Sequence, residues 1–186
     1  MFKRGFKTWC ETTSLLLRKR LDLQPAEPLD AWQLSKYLGV EIWNPADIPD
    51  FDPESLAVLV EEDPESWSAI TISTGSKDVI ILNPTHSGGR PASDLMHELS
   101  HIIIGHIAAR VDVSEDGLLL LSTFDRNQEE EAKWLCGSLL LPRPALLLIR
   151  RMSWDWKVAA KRYGTSEQMV RFRMNVLGLG TRRTKV

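Results

Sequence analysis

The chain has 186 residues, 43% of them hydrophobic and 26% charged, and its formal net charge is −2. These values exclude a fibrous repeat and a wholly disordered chain, and they are typical of one globular domain or one domain with a small appendage. The two cysteines, Cys10 and Cys136, stand far apart, which excludes a disulfide framework. Because we find neither a targeting signal nor an apolar stretch long enough to span a bilayer, we expect a soluble cytoplasmic protein.

The first half of the chain predicts short helices and a small sheet. The predicted elements are helices over residues 8–21 and 30–38 and strands over residues 40–43, 67–73 and 79–82. Gly39 ends the second helix. Residues 74–77 include Gly75 and are expected to join the last two strands as a hairpin.

The second half is predicted to be mostly helical. Its predicted helices cover residues 92–109, 128–141, 144–150, 155–163 and 166–177. Pro91 fits the start of the first of these and Pro142 the end of the second. Residues 110–125 give no clear pattern apart from a turn at Asp116-Gly117. We therefore expect an α+β protein in which a small antiparallel sheet precedes a mostly helical C-terminal half.

The pattern that indicates chemistry is His97-Glu98-Leu99-Ser100-His101, an H-E-x-x-H sequence inside a predicted helix. Two histidines four residues apart lie one above the other on a helix, so both imidazoles can reach one tetrahedral zinc ion. Glu98 lies beside such a metal and can take a proton from the attacking water as general base. The alternative is a pair of structural histidines without a metal.

A catalytic zinc usually has three protein ligands, so one ligand is missing from this pattern. His106 follows His97 by nine residues and is expected on the opposite side of the helix, as a structural or capping residue. His86 lies in a glycine-rich loop and could reach the site, although an ordinary loop role is the preferred interpretation. The acidic run at residues 129–131 opens the next strong helix, and one of its carboxylates is the leading candidate.

The H-E-x-x-H pattern and the sequence EEEAKWLCGSLLLP at residues 129–142 together resemble the ImmA/IrrE-type metallopeptidases. That family joins H-E-x-x-H to a second helix of the form E-x-x-A-[ND]-x-[FWL]-A-x-x-L-L-x-P. The resemblance implies a minimal thermolysin-like zincin fold in which the first Glu of the second motif, Glu129, is the third ligand beside His97 and His101. Glu131 is the alternative if the register differs. We expect the metallopeptidase domain to cover residues 1–142.

One position departs from the family pattern. Lys133 stands where the family has Asn or Asp, a residue that can orient a metal-binding imidazole. Lysine cannot accept that hydrogen bond, and such partners commonly change metal affinity or activity by about 10- to 100-fold. Metal binding is therefore expected to be weaker, unless Asp94 or another carboxylate serves instead.

The activity implied by the resemblance is limited hydrolysis of a peptide bond in a helix-turn-helix transcriptional repressor of phage, mobile-element or stress-response genes. The metal is expected to be zinc, with manganese as the alternative, because a His/His/Glu ligand set accepts either. An oxyanion donor is also required. His86 and Tyr163 are candidates by chemistry alone.

The C-terminal region, residues 143–186, is strongly basic, with eleven Lys and Arg against two acidic residues, whereas residues 21–142 carry six against twenty-two. Residues 159–173 have a helix-turn-helix rhythm: Gly164 supplies the turn, and Thr165 or Ser166 can cap the second helix. Such a helix pair can enter the DNA major groove.

In that interpretation Arg171 and Arg173 contact DNA, and the chain is a non-catalytic DNA- or protein-binding regulatory module, for example a toxin–antitoxin component. The alternative is that Val158, Met169, Val170 and Phe172 pack the pair against the catalytic domain. The tail at residues 181–186 is expected to be disordered.

Overall fold

The structure is a computed structural model and describes residues 2–73, 77–106, 110–113, 119–122 and 125–180. The predicted turns at Gly75 and at Asp116-Gly117, and the predicted disordered tail, lie outside these residues. The chain forms two compact units. Unit 1 is Ala31–Lys133, and unit 2 combines Phe2–Asp30 with Trp134–Val186. These bounds differ from the predicted division at residue 142, which stays a prediction.

The described helices and strands largely follow the sequence pattern. In chain order they are α1 (Phe6–Arg20), α2 (Ala31–Leu38), β1 (Glu41–Trp43), α3 (Pro53–Ala57), β2 (Ala69–Ser73), β3 (Asp78–Leu82), α4 (Arg90–Ile104), β4 (Arg110–Val113), β5 (Leu119–Ser122), α5 (Arg126–Leu140), α6 (Arg143–Arg151), α7 (Trp156–Arg162) and α8 (Glu167–Val176). Within the described part of the chain, no single helix has the length and apolar composition to cross a membrane, although the bent pair α5 and α6 meets that test when taken together.

The main sheet of unit 1 has three strands in the order β1-β3-β2. Strand β2 runs antiparallel to β3, with Thr71 opposite Ile80, whereas β1 runs parallel to β3, with Ile42 opposite the same residue. The sheet is thus mixed: the antiparallel pairing of β2 with β3 is confirmed, whereas the parallel pairing of β1 departs from the predicted antiparallel sheet. A parallel pair needs a long crossover connection, which the chain between β1 and β3 supplies. The α+β class itself is confirmed.

The core of unit 1 lies between this sheet and α4. Strand β3 is the central strand, and its residues Val79 to Leu82 are buried. Helix α4 packs on β2 and β3 and buries Leu95, Met96 and Leu99 completely. Those three residues share one face of the helix, so the helical period leaves His97 and His101 on the opposite side.

Helix α4 ends at Gly105, earlier than the sequence predicted. Gly105 has a φ of +79°, a left-handed conformation that glycine adopts without strain. Its N–H donates to the carbonyl of Ile102 at 3.1 Å, and the N–H of His106 donates to the carbonyl of His101 at 3.0 Å. This Schellman arrangement turns the chain back toward the helix. The predicted helix to residue 109 was therefore too long.

In unit 2, the predicted α7–turn–α8 arrangement is confirmed. Gly164 has a φ of +59°, and the Ser166 hydroxyl caps α8 by accepting from the N–H of Met169 at 3.1 Å. Arg173, however, is completely buried. It donates to the carbonyl of Leu141 at 3.2 Å and forms an ion pair with Glu11, so it cannot contact DNA from this position.

The apolar residues of α7 and α8 are only partly covered. Val170 is buried, whereas Val158 and Phe172 are 48% and 43% exposed. Arg171 is exposed, and contact between this residue and nucleic acid stays a prediction.

Candidate metal centre

Three of the predicted site residues lie together in unit 1. The Nε2 atoms of His97 and His101 are 3.2 Å apart. Oε2 of Glu129 lies 3.3 Å from His97 Nε2, and the other carboxylate oxygen, Oε1, lies 3.2 Å from His101 Nε2. Helix α4 presents both imidazoles from one face and the first turn of α5 presents the carboxylate, so the three could hold one metal ion.

The spacing of these atoms fits a tetrahedral ion. Ligands at about 2.0–2.1 Å from zinc stand roughly 3.3–3.4 Å from one another in a tetrahedron. The two histidine nitrogens are 3.2 Å apart, and each lies 3.2–3.3 Å from a different oxygen of Glu129. Each donor is also half-buried, which leaves one side open to solvent. Two imidazoles and a carboxylate suit zinc or another divalent transition metal.

The protonation state of the imidazoles also suits a metal. Burial lowers the pKa of His97 below its ordinary value, and the positive charge of Lys133 adds to that effect. Burial and the neighbouring His97 lower the pKa of His101 as well. Glu129 opposes both shifts. Both rings are therefore neutral near pH 7, which is the form that a metal ion requires.

Glu98 lies beside the three donors and faces the sheet. One of its carboxylate oxygens accepts a hydrogen bond of 2.5 Å from the Thr71 hydroxyl on β2. The pKa of Glu98 is raised to about 7, chiefly by burial and to a lesser extent by the negative charges of Glu129 and Asp94, while the hydrogen bond from Thr71 lowers it. A bound divalent cation would also lower the pKa of Glu98. A carboxylate in this environment can both take up and release a proton near neutral pH.

His106 does not lie where the sequence predicted. Because the chain turns back at Gly105, the imidazole of His106 packs against His101, with their Nδ1 atoms 3.0 Å apart. Its Nε2 atom lies 3.2 Å from a carboxylate oxygen of Glu131. The expectation that His106 points to the opposite side of the helix was wrong, since it assumed that α4 continues past Gly105.

The other candidate residues have different partners. His86 Nδ1 lies 2.8 Å from a carboxylate oxygen of Asp94, so this pair connects the loop before α4 to the helix. Neither residue belongs to the three-residue cluster. Asp94 is thus engaged with His86 rather than with a metal-binding imidazole. In unit 2 the Tyr163 hydroxyl donates to the carbonyl of Ala26 at 2.8 Å.

Sequence reasoning missed two features of the site. Thr71 is an ordinary strand residue in the sequence, and only the packing of β2 on α4 brings it to Glu98. The position of His106 had a readable signal, because a glycine just after a helix commonly ends it with the chain folded back.

Comparisons with known proteins support a family and a fold for this chain. The family model described as the IrrE N-terminal-like domain matches residues 54–175, more than half of the chain. A solved structure described as a Mycobacterium tuberculosis transcriptional regulator matches 99% of this chain with a TM-score of 0.54 and 15% sequence identity. That match covers 49% of the regulator, so the chain spans about half of its length, and it supports the fold alone. No curated protein sequence matches significantly.

Proposed function

This chain belongs to the IrrE N-terminal-like family of metallopeptidases, and from that premise we propose that it is a metal-dependent endopeptidase with a protein substrate. The observation that carries the proposal is the cluster of His97, His101 and Glu129, with Glu98 next to it. A pair of structural histidines would not require a carboxylate between them at metal-ligand spacing. Nor would it require a second, half-buried carboxylate whose pKa is raised to about 7.

The chemistry assigns each side chain a role. His97, His101 and Glu129 would hold the ion, and zinc is the metal we propose. When bound, the metal supplies Lewis-acid activation of the scissile carbonyl and of water. Glu98 takes a proton from the attacking water and passes it to the leaving amine. The hydrogen bond from Thr71 fixes one oxygen of Glu98, which leaves the other oxygen for the water.

The sheet offers a place for an extended substrate. Within the described part of the chain, β2 pairs only with β3, so its other edge retains unpaired backbone groups. A peptide in extended form can add to such an edge through backbone hydrogen bonds. Thr71 places this strand next to Glu98, and a segment bound along β2 would therefore lie close to the catalytic carboxylate.

The substrate we propose is a helix-turn-helix transcriptional repressor, as the resemblance to the ImmA/IrrE-type proteins suggests. Cytoplasmic action follows from such a substrate. Mass spectrometry of newly formed N-termini tests this in cells that express either the wild-type chain or Glu98→Gln. We expect new termini in one or a few repressors, only with the wild-type chain. Identical termini in both samples would contradict the proposal.

Thr71→Val is expected to slow cleavage without releasing the metal. Valine has nearly the shape of threonine but cannot donate to Glu98, so the carboxylate loses its fixed orientation. A hydrogen bond to a charged group contributes about 1.5–3 kcal/mol, which corresponds to a decrease of roughly 10- to 150-fold in kcat. Thr85→Val, a change in the loop before α4, is the matched control, and kcat is measured for both variants. An unchanged kcat in Thr71→Val would contradict this role.

A further inference from the structure

The second ring nitrogen of His101, Nδ1, faces away from the proposed metal and is connected through His106 to Glu131. His101 Nδ1 lies 3.0 Å from His106 Nδ1, and His106 Nε2 lies 3.2 Å from Glu131. The His106 side chain is only 7% exposed and that of Glu131 is 22% exposed. A carboxylate and an imidazole thus stand in line behind one of the metal-binding residues.

The contacts between His101, His106 and Glu131 determine which ring nitrogen of each histidine carries a proton once a metal is bound. Metal binding through Nε2 of His101 leaves the proton of that ring on Nδ1. His101 therefore donates from Nδ1 to His106 Nδ1, which must accept. The proton of His106 is then on Nε2, from which it donates to Glu131. Each ring nitrogen has one role, and the line ends on a carboxylate, the strongest acceptor among protein side chains.

We propose that His106 and Glu131 are positioning residues that hold the ring of His101 in the orientation needed for metal binding. The inference rests on the proposed function only in its assumption of a metal at His97, His101 and Glu129. A carboxylate that accepts from a metal-binding histidine commonly fixes the ring and its tautomer. In this chain the carboxylate acts through a second imidazole.

This pair and Lys133 act on different imidazoles. Lysine supplies no acceptor at that position, and the positive charge of Lys133 acts on His97 rather than orienting a ring. Glu131 lies two residues earlier on the same helix and reaches His101 through His106, which Gly105 turns toward it. Glu131 and His106 therefore lie on the side of His101, whereas Lys133 acts on His97.

The test measures zinc affinity by competition with a chromophoric chelator. Glu131→Gln keeps the size of the side chain but weakens the acceptor, and His106→Asn interrupts the line. Each change is expected to lower zinc affinity by about 10- to 100-fold. The double variant should lose little more than the worse single variant, because both residues act in one line. Glu130→Gln is the matched control, since Glu130 is next in sequence and its carboxylate is exposed beside Arg126.

The outcomes separate this inference from the proposed activity. Wild-type zinc affinity in Glu131→Gln, or fully additive losses in the double variant, would overturn the positioning role. A fall in the thermal stability of metal-free Glu131→Gln that matched its loss of affinity would overturn it as well, because that result indicates a purely structural residue. Weakened zinc binding without proteolysis by the wild type would refute the endopeptidase alone. Glu98-dependent cleavage with unchanged zinc affinity in Glu131→Gln would refute this inference alone.

Discussion

Glu98→Gln is expected to abolish peptide cleavage while leaving the metal in place. Glutamine has the shape of glutamate and can still contact Thr71, but it cannot take a proton from water. General-base catalysis by a positioned side chain contributes about 10²- to 10⁴-fold to a rate, so kcat should fall by at least that factor. Because Glu98 is not among the three metal donors, zinc content should equal that of the wild type. Both quantities are measured on one preparation.

The control for this variant is Glu130→Gln, which makes the same chemical change at a residue whose carboxylate is 49% exposed. It should cleave as fast as the wild type. Cleavage by Glu98→Gln within about threefold of the wild-type rate would contradict the assignment of Glu98 as general base, because such a difference corresponds to only about 0.6 kcal/mol.

Zinc is expected to stabilise the folded chain through His97, His101 and Glu129. These donors come from two different helices, α4 and α5, so an ion bound to all three ties the helices together and binds the folded state only. At a free zinc concentration about 1,000 times Kd, the free energy of unfolding should rise by roughly 4 kcal/mol. Denaturant unfolding of metal-free protein, with and without added zinc, measures this difference.

His97→Ala should remove most of that stabilisation, because only two of the three donors remain. Magnesium serves as the control ion, since it prefers oxygen ligands and should stabilise neither protein through this site. An equal gain from zinc in the wild type and in His97→Ala would contradict the proposed ligand set.

The proposed metal-binding part of the site is largely predictable from the sequence because it depends on local geometry. Two histidines four residues apart in a helix must share a face, and the structure brings His97 and His101 together. Glu129 was named from the family resemblance, since no local rule relates residues on two helices. Its role as a ligand stays a prediction.

The remaining features depend on long-range packing or on where an element ends. The parallel pairing of β1 with β3 joins segments distant in the chain, and strand periodicity does not report the direction of a partner. Thr71 reaches Glu98 only once β2 packs on α4. Arg173 has the sequence signature of a surface cation, yet the structure buries it against Leu141 and Glu11. His106 was misplaced because Gly105 was read as part of the helix.

The central claim is that a single metal ion binds at His97, His101 and Glu129. The most direct measurement is the zinc content per chain of the wild type, Glu129→Gln and Glu130→Gln, each loaded with zinc and passed through a desalting column. We expect about one zinc per chain in the wild type and in Glu130→Gln, and a small fraction of that in Glu129→Gln. Equal zinc in all three proteins, or no zinc in the wild type, would contradict it.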